Sequence, residues 1–179
     1  MTIEKTNIEG LYLLKNNSFE DERGYFLRIF CNDTLKKYHL DFNIKQSSIS
    51  YNNKKYTVRG MHYQNYPYGE IKLVRCIKGK IFDVIADIRK DSPTFGEKFN
   101  IELYENDGKM IYISPYLAHG FQTLEDNTIV CYFMDTSFVP EASIGFNWED
   151  PFFNISWPFK YNITISEKDK NMPNFNSRI

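Results

Sequence analysis

Short strand-like runs of apolar residues recur along the chain and are split by turn signals. Residues 10–14 and 24–30 flank the turn-like N-N-S-F-E-D-E-R-G, and 46–51 alternates before the turn N-N-K-K. Residues 71–77 and 80–89 are separated by Lys78-Gly79, which predicts a hairpin. E-N-D-G separates 98–104 from 110–113, and E-D-N separates 121–124 from 128–134. Residues 33–39 read as one short helix. Beyond Pro140 the pattern turns irregular and aromatic, which predicts loops or short helices.

In I-F-D-V-I-A-D-I-R the even positions Phe82, Val84, Ala86 and Ile88 are all apolar. The odd positions mix Ile81 and Ile85 with Asp83 and Asp87. One wholly apolar face predicts a strand whose even side packs against another sheet. Many short strands, tight turns and no βα alternation predict an all-β sandwich or closed barrel. No repeat, linker or low-complexity segment interrupts it, so residues 1–179 read as one domain.

Composition sharpens this picture. The chain of 179 residues is 42% hydrophobic and 17% aromatic, which excludes disorder and favours strands. Its net charge of -1 points to no nucleic-acid or membrane surface, so any anionic ligand must meet a local basic cluster. Cys31, Cys76 and Cys131 are odd in number and unclustered, which suits reduced thiols. The N-terminus lacks a signal-peptide core and no apolar run reaches spanning length, so a cytoplasmic protein is expected.

Chemistry could reside at several polar positions. His62 lies in R-G-M-H-Y-Q and His119 in P-Y-L-A-H-G-F, where a hydrogen-bonded histidine near a barrel mouth is the plain alternative to function. A metal-binding barrel would use His62, Glu70 and His119, but Gln64 stands where an H-x-H pattern needs its second histidine. Lys72 shares a strand face with Val74 and Cys76, and local sequence alone predicts solvent exposure. Tyr132 shares a face with Val130 and Met134, which by itself predicts packing. Arg23, Arg28 and Arg59 adjoin turns or strand ends, where their forks suit phosphates.

Ordered together, the motifs say more than each alone. S-F-E-D-E-R-G-Y-F, V-R-G-M-H-Y-Q, K-L-V-R-C-I-K-G-K-I-F-D-V-I-A-D-I-R, S-P-T-F-G, A-H-G-F, W-E-D-P, W-P and I-S-E-K-D follow in series. The series resembles the dTDP-4-dehydrorhamnose 3,5-epimerases and related nucleotide-sugar epimerases, over residues 7–169. That resemblance implies a jelly-roll (cupin-type) barrel with short flanking helices, a homodimer, and no metal or other cofactor. It implies a nucleoside-diphosphate 4-keto sugar as substrate. By the same resemblance His62 is the general base, Asp169 its orienting partner, Tyr132 the acid on the opposite ring face, and Lys72 the neighbour of the keto oxygen. Arg59, His119 and Lys168 would line the substrate site, while Arg23, Phe26, Arg28, Gln46, Ser48 and Phe138 would hold the nucleotide.

The chain also departs from the family pattern. Arg28 stands where thymidine-linked members carry a base-contacting Glu, and Ser48 replaces an Asn. Phe138 replaces a stacking Tyr, and Ser143 replaces a Glu. An arginine replaces an acceptor with donors, which suits guanine O6 and N7, so a GDP-linked hexose or heptose is expected. Two other classes compete with the epimerase: a metal-dependent cupin enzyme and a non-catalytic nucleotide-sugar binding barrel.

Overall fold

The structure is a computed structural model that describes residues 1–175. Its strands run in chain order as β1 (Thr2–Lys5), β2 (Leu11–Lys15), β3 (Phe19–Asp21) and β4 (Gly24–Phe26). After helix α1 (Asn32–Lys37) come β5 (Gln46–Asn52), β6 (Val58–Gln64), β7 (Lys72–Lys78) and β8 (Lys80–Asp87). Next are β9 (Lys98–Tyr104), β10 (Lys109–Ile113), β11 (Leu117–Thr123) and β12 (Thr128–Met134). A 3-10 turn at Pro140–Ala142, strand β13 (Ser143–Gly145) and helix α2 (Glu167–Lys170) complete the order.

Two sheets face each other as a jelly-roll barrel. One has the order β1-β2-β10-β7-β12-β5 and the other β13-β6-β11-β8-β9, while β3-β4 forms a separate hairpin. From β5 to β8 the chain changes sheet at every turn, and it does so again from β9 to β12. The hairpin expected at Lys78-Gly79 therefore does not form. Gly79 turns the chain at φ +74, but β7 pairs with β10 and β12 while β8 pairs with β11 and β9. A tight turn reports a local chain reversal, and here that reversal is a corner between sheets.

Three apolar layers hold this arrangement. Between the sheets, Val74, Cys76, Ile81, Ile85, Phe121 and Val130 pack into the barrel core. Outside the five-stranded sheet, Val84, Ala86, Phe146, Trp148 and Trp157 pack under the C-terminal segment. Outside the six-stranded sheet, Leu14, Leu35, Phe42, Leu73 and Tyr112 seat α1 and its flanks. The expectation for β8 is corrected here. Its mixed face, with Asp83 and Asp87, points into the barrel, and its wholly apolar face lies under the C-terminal segment. Both faces are buried, so an apolar side does not reveal which layer covers it.

Cys31, Cys76 and Cys131 are free thiols, and burial pushes the Cys76 thiol up to about 12. Among the described residues no helix is long and apolar enough to cross a membrane.

Candidate active site

His62 sits on β6, with its ring partly exposed, and its Nε2 lies 2.8 Å from Asp169 Oδ1. Asp169 arrives from far along the chain on α2, where the Ser166 side chain caps the helix by accepting from Asp169 N–H at 3.1 Å. Burial alone would push the Asp169 carboxyl up. Hydrogen bonds from His62, Gly60 N–H and the Ser166 side, with the charge of His62, together hold it below its ordinary value. When the ring is neutral, an ionised carboxylate accepting from Nε2–H leaves Nδ1 as the nitrogen with a free lone pair.

Backbone geometry beside His62 demands glycine. Gly60 adopts φ +125, and a Cβ there would stand 2.5 Å from Gly120 Cα on the neighbouring strand. The close approach coincides with a register shift on β11 between His119 and Phe121.

His62 opens on a cavity of about 390 Å³ between the two sheets. The six-stranded sheet supplies the opposite wall: Gln46 and Ser48 from β5, Lys72 from β7, and Tyr132 and Met134 from β12. Register explains their company, because Tyr132 pairs with Ser48 and Val74, while Met134 pairs with Gln46 and Lys72. Lys72 does not escape to solvent as its local sequence suggests. Its side chain is 14% exposed and its Nζ is 2.8 Å from Glu70 Oε1, on a carboxylate that lines the same cavity. Phe138 and Ser143 complete the rim, and Gln46 Oε1 accepts from Phe138 N–H. Gln64 fastens that rim, accepting from Val139 N–H at 2.6 Å and donating to Tyr68 O at 3.1 Å.

Tyr132 is also shaped by its surroundings. Burial pushes its phenol well above the ordinary range, the charge of Asp83 adds to this, and Arg59 opposes it. Such a phenol stays protonated at neutral pH and can donate. His119 is buried on β11 beside this group, its ring in edge contact with Tyr132 at 6.1 Å between centroids. Its Nε2 is 2.7 Å from Asp83 Oδ1, a carboxylate that sequence reasoning passed over as part of a mixed strand face.

Other assigned residues lie apart from the cavity lining. Arg59 donates from Nε to Asn52 Oδ1 at 2.8 Å, and Lys168 is exposed on α2. Arg23 and Phe26 belong to the exposed β3-β4 hairpin, where Arg23 pairs with Asp21. Arg28 lines a different recess with Met1, Cys31 and Thr34. Among the described residues no three His, Cys, Asp or Glu side chains are placed to hold a metal ion. His62, Glu70 and His119 each engage a separate partner instead.

A cavity with an oriented imidazole on one wall, and an ammonium and a neutral phenol on the other, is equipped for carbon-acid chemistry. It can remove a proton beside a carbonyl, hold the resulting oxyanion and return a proton elsewhere.

Comparison with known proteins agrees with this chemistry. The sequence profile described as dTDP-4-dehydrorhamnose 3,5-epimerase matches residues 5–177. A dTDP-4-dehydrorhamnose 3,5-epimerase from Sinorhizobium fredii is 35% identical over 97% of this chain and 89% of its own length. The crystal structure of the Bacillus anthracis dTDP-4-dehydrorhamnose 3,5-epimerase, with TDP and pyrophosphate bound, superposes with TM-score 0.93 at 32% identity, covering 97% of this chain and 98% of that one. A 3'-monoepimerase from Streptomyces bikiniensis, in complex with dTDP-quinovose, gives TM-score 0.89 at 26% identity, covering 96% of this chain and 86% of that one. This chain belongs to the dTDP-4-dehydrorhamnose 3,5-epimerase family.

Proposed function

We propose that the cavity inverts C3, C5 or both in a nucleoside-diphosphate 4-keto sugar, by deprotonation to an enolate and reprotonation from the opposite face. The observation that carries this reading is the position of His62 and Tyr132 on opposed sheets of one cavity, with Lys72 beside Tyr132. His62 Nδ1 takes the proton from the carbon next to the ketone. The electron pair of that C–H bond forms the enolate C=C bond as the carbonyl π pair moves onto oxygen, where the Lys72 ammonium stabilises the charge. The enolate then re-forms the carbonyl as its C=C pair takes the Tyr132 hydroxyl proton on the other face of the carbon. Solvent restores the phenol and discharges the imidazolium, so the turnover is neutral in protons.

The nucleotide is proposed to be thymidine diphosphate. Relatives named for dTDP-linked sugars support it, and Arg28, which carried the argument for guanosine, lines a recess away from this cavity. Residues 1–179 are proposed to act as one domain in the cytoplasm.

A homodimer completes the proposal. Arg23 and Phe26 do not line the cavity of their own chain, so a nucleotide role for them requires a second copy to supply them. The β3-β4 hairpin leaves Phe19 and Phe26 exposed, at 73% and 64%. Ile49 and Tyr51 on β5 and Ile77 on β7 are exposed, and Arg75, also on β7, has Nε and Nη1 buried without a hydrogen-bond partner among the described residues. Such an apolar patch on an outer sheet face suits burial against its own copy.

Incubation of the protein with dTDP- and GDP-linked 4-keto-6-deoxy sugars in D₂O tests the reading. Deuterium at C3, C5 or both, together with inverted product, is expected with the dTDP sugar. No incorporation with either nucleotide would overturn it.

A further inference from the structure

The inner face of β8 carries two fully buried aspartates, and only one is accounted for by folding. Asp87 ties down the loop that follows it through Arg89, Ser92 and Thr94. Asp83 has one side-chain partner, His119 at 2.7 Å, and its Oδ2 is buried with no hydrogen-bond partner among the described residues. Buried ion pairs are often no more stabilising than apolar residues of the same volume, so stability alone gives this pair little reason to exist. Its location supplies one. His119 stands directly opposite His62 in the β6-β11 register, and its ring meets Tyr132 in a T-shaped contact with the planes at 72°.

We propose that Asp83 is a positioning residue for the protonating half of the reaction, holding His119 as the fixed edge against which Tyr132 is set. The proposal rests on the epimerase reading above. Asp83 fixes the orientation of the imidazole through Oδ1, as Asp169 does for His62. The two dyads thereby divide the work: Asp169–His62 serves proton removal, and Asp83–His119 serves the group that returns a proton. The unpaired Oδ2 has a second effect. A buried negative charge near the phenol disfavours a phenolate, so Tyr132 remains a donor, in keeping with the direction in which its acidity is pushed. Arg59, whose charge also acts on the phenol, opposes this. None of this assigns Asp83 a contact with substrate.

The test separates the two halves of the reaction. Wild type, Asp83→Asn and Asp83→Ser are incubated in D₂O with a dTDP-linked 4-keto-6-deoxy sugar. Deuterium wash-in and formation of inverted product are timed separately. For Asp83→Asn, wash-in is expected to stay within about 3-fold of wild type. Inversion should fall about 10- to 100-fold, at or below the low end of the roughly 10²–10⁴-fold that general-acid catalysis contributes. Parallel loss of both rates in a folded variant, or no change in either, would overturn the proposal. If Asp83→Asn does not fold, Asp83→Ser is too short to reach His119, removes the same contact and is read the same way. Failure of both variants to fold would reduce the pair to a packing role and overturn the proposal as well. Failure of the epimerase reading is distinguishable, because wild type would then take up no deuterium.

Discussion

His62 and His119 are directly opposed on the antiparallel strands β6 and β11, yet each is anchored by a different carboxylate. Asp169 reaches His62 from the C-terminal helix α2, and Asp83 reaches His119 from the neighbouring strand β8. His62 opens onto the cavity, and His119 lies buried behind Tyr132. Neighbouring imidazoles thus occupy different environments, one open to a ligand and one sealed against the group facing that ligand.

Replacing His62 removes the proposed base while keeping polar volume. His62→Asn is expected to abolish both deuterium uptake and inversion, a loss on the order of 10²–10⁴-fold or more. Asp169→Asn should keep the imidazole but lose its orientation and charge, lowering both rates about 10- to 100-fold. NMR of the sugar ring protons in D₂O reads both.

Tyr132→Phe should separate exchange from inversion. Phenylalanine fills the same space, so the fold should be kept and His62 should still exchange the carbon-bound proton. Net inversion should disappear. Full inversion by this variant would sink the assignment of the acid.

Lys72, whose Nζ is 2.8 Å from Glu70 Oε1, is the proposed partner of the developing oxyanion. Lys72→Met should lower kcat by about 10²–10³-fold, as expected for loss of an oxyanion partner, with a smaller change in KM. Glu70→Gln keeps an acceptor for the ammonium but removes the charge, and should reduce kcat less. Steady-state kinetics with kcat and KM resolved separately decides this.

Asp87 gives the fold an acid limit. Burial would raise its carboxyl, but hydrogen bonds from Arg89, Ser92 and Thr94 hold it at about 2, below the ordinary carboxylate range. A carboxyl depressed on folding stabilises the folded state fully above its unfolded value. That stabilisation is lost as pH falls from near 4 towards 2. The linkage amounts to about 2 kcal/mol at neutral pH. Asp87→Asn should therefore lower Tm at pH 7 and flatten its fall below pH 4, measured by thermal melts across pH.

Ile49 is 66% exposed on the outer face of the six-stranded sheet. Ile49→Lys should yield a monomer with raised KM, if a second copy supplies Arg23 and Phe26. Sedimentation with parallel kinetics checks it, and a fully active monomer would remove the dimer from the proposal.

Several parts of this architecture were legible locally. Period-two runs located most of the strands, and G-M-H-Y-Q with S-E-K-D carried the dyad because its partners belong to an ordered motif series. Lys72 was not legible from its own segment, since alternation says that positions 72, 74 and 76 share a side but not that this side lines a cavity. Asp83 was missed for the same reason. A carboxylate in an alternating strand reads as the solvent face unless both faces are known to be covered. The C-terminal segment that covers the second face is irregular in sequence and announces no partner. The Lys78-Gly79 hairpin failed because a turn signal specifies reversal and not the sheet that receives the next strand.

Sequence by itself determined the strand periodicity, the all-β class and the inventory of reactive side chains, because these follow from local sterics and residue chemistry. Tertiary structure alone decided that β7 and β12 present Lys72 and Tyr132 across a cavity from His62, and that the charge of Asp83 acts on the Tyr132 phenol. Long-range pairing fixes which faces meet. That pairing depends on the free energy of the whole packed barrel and not on any segment of it.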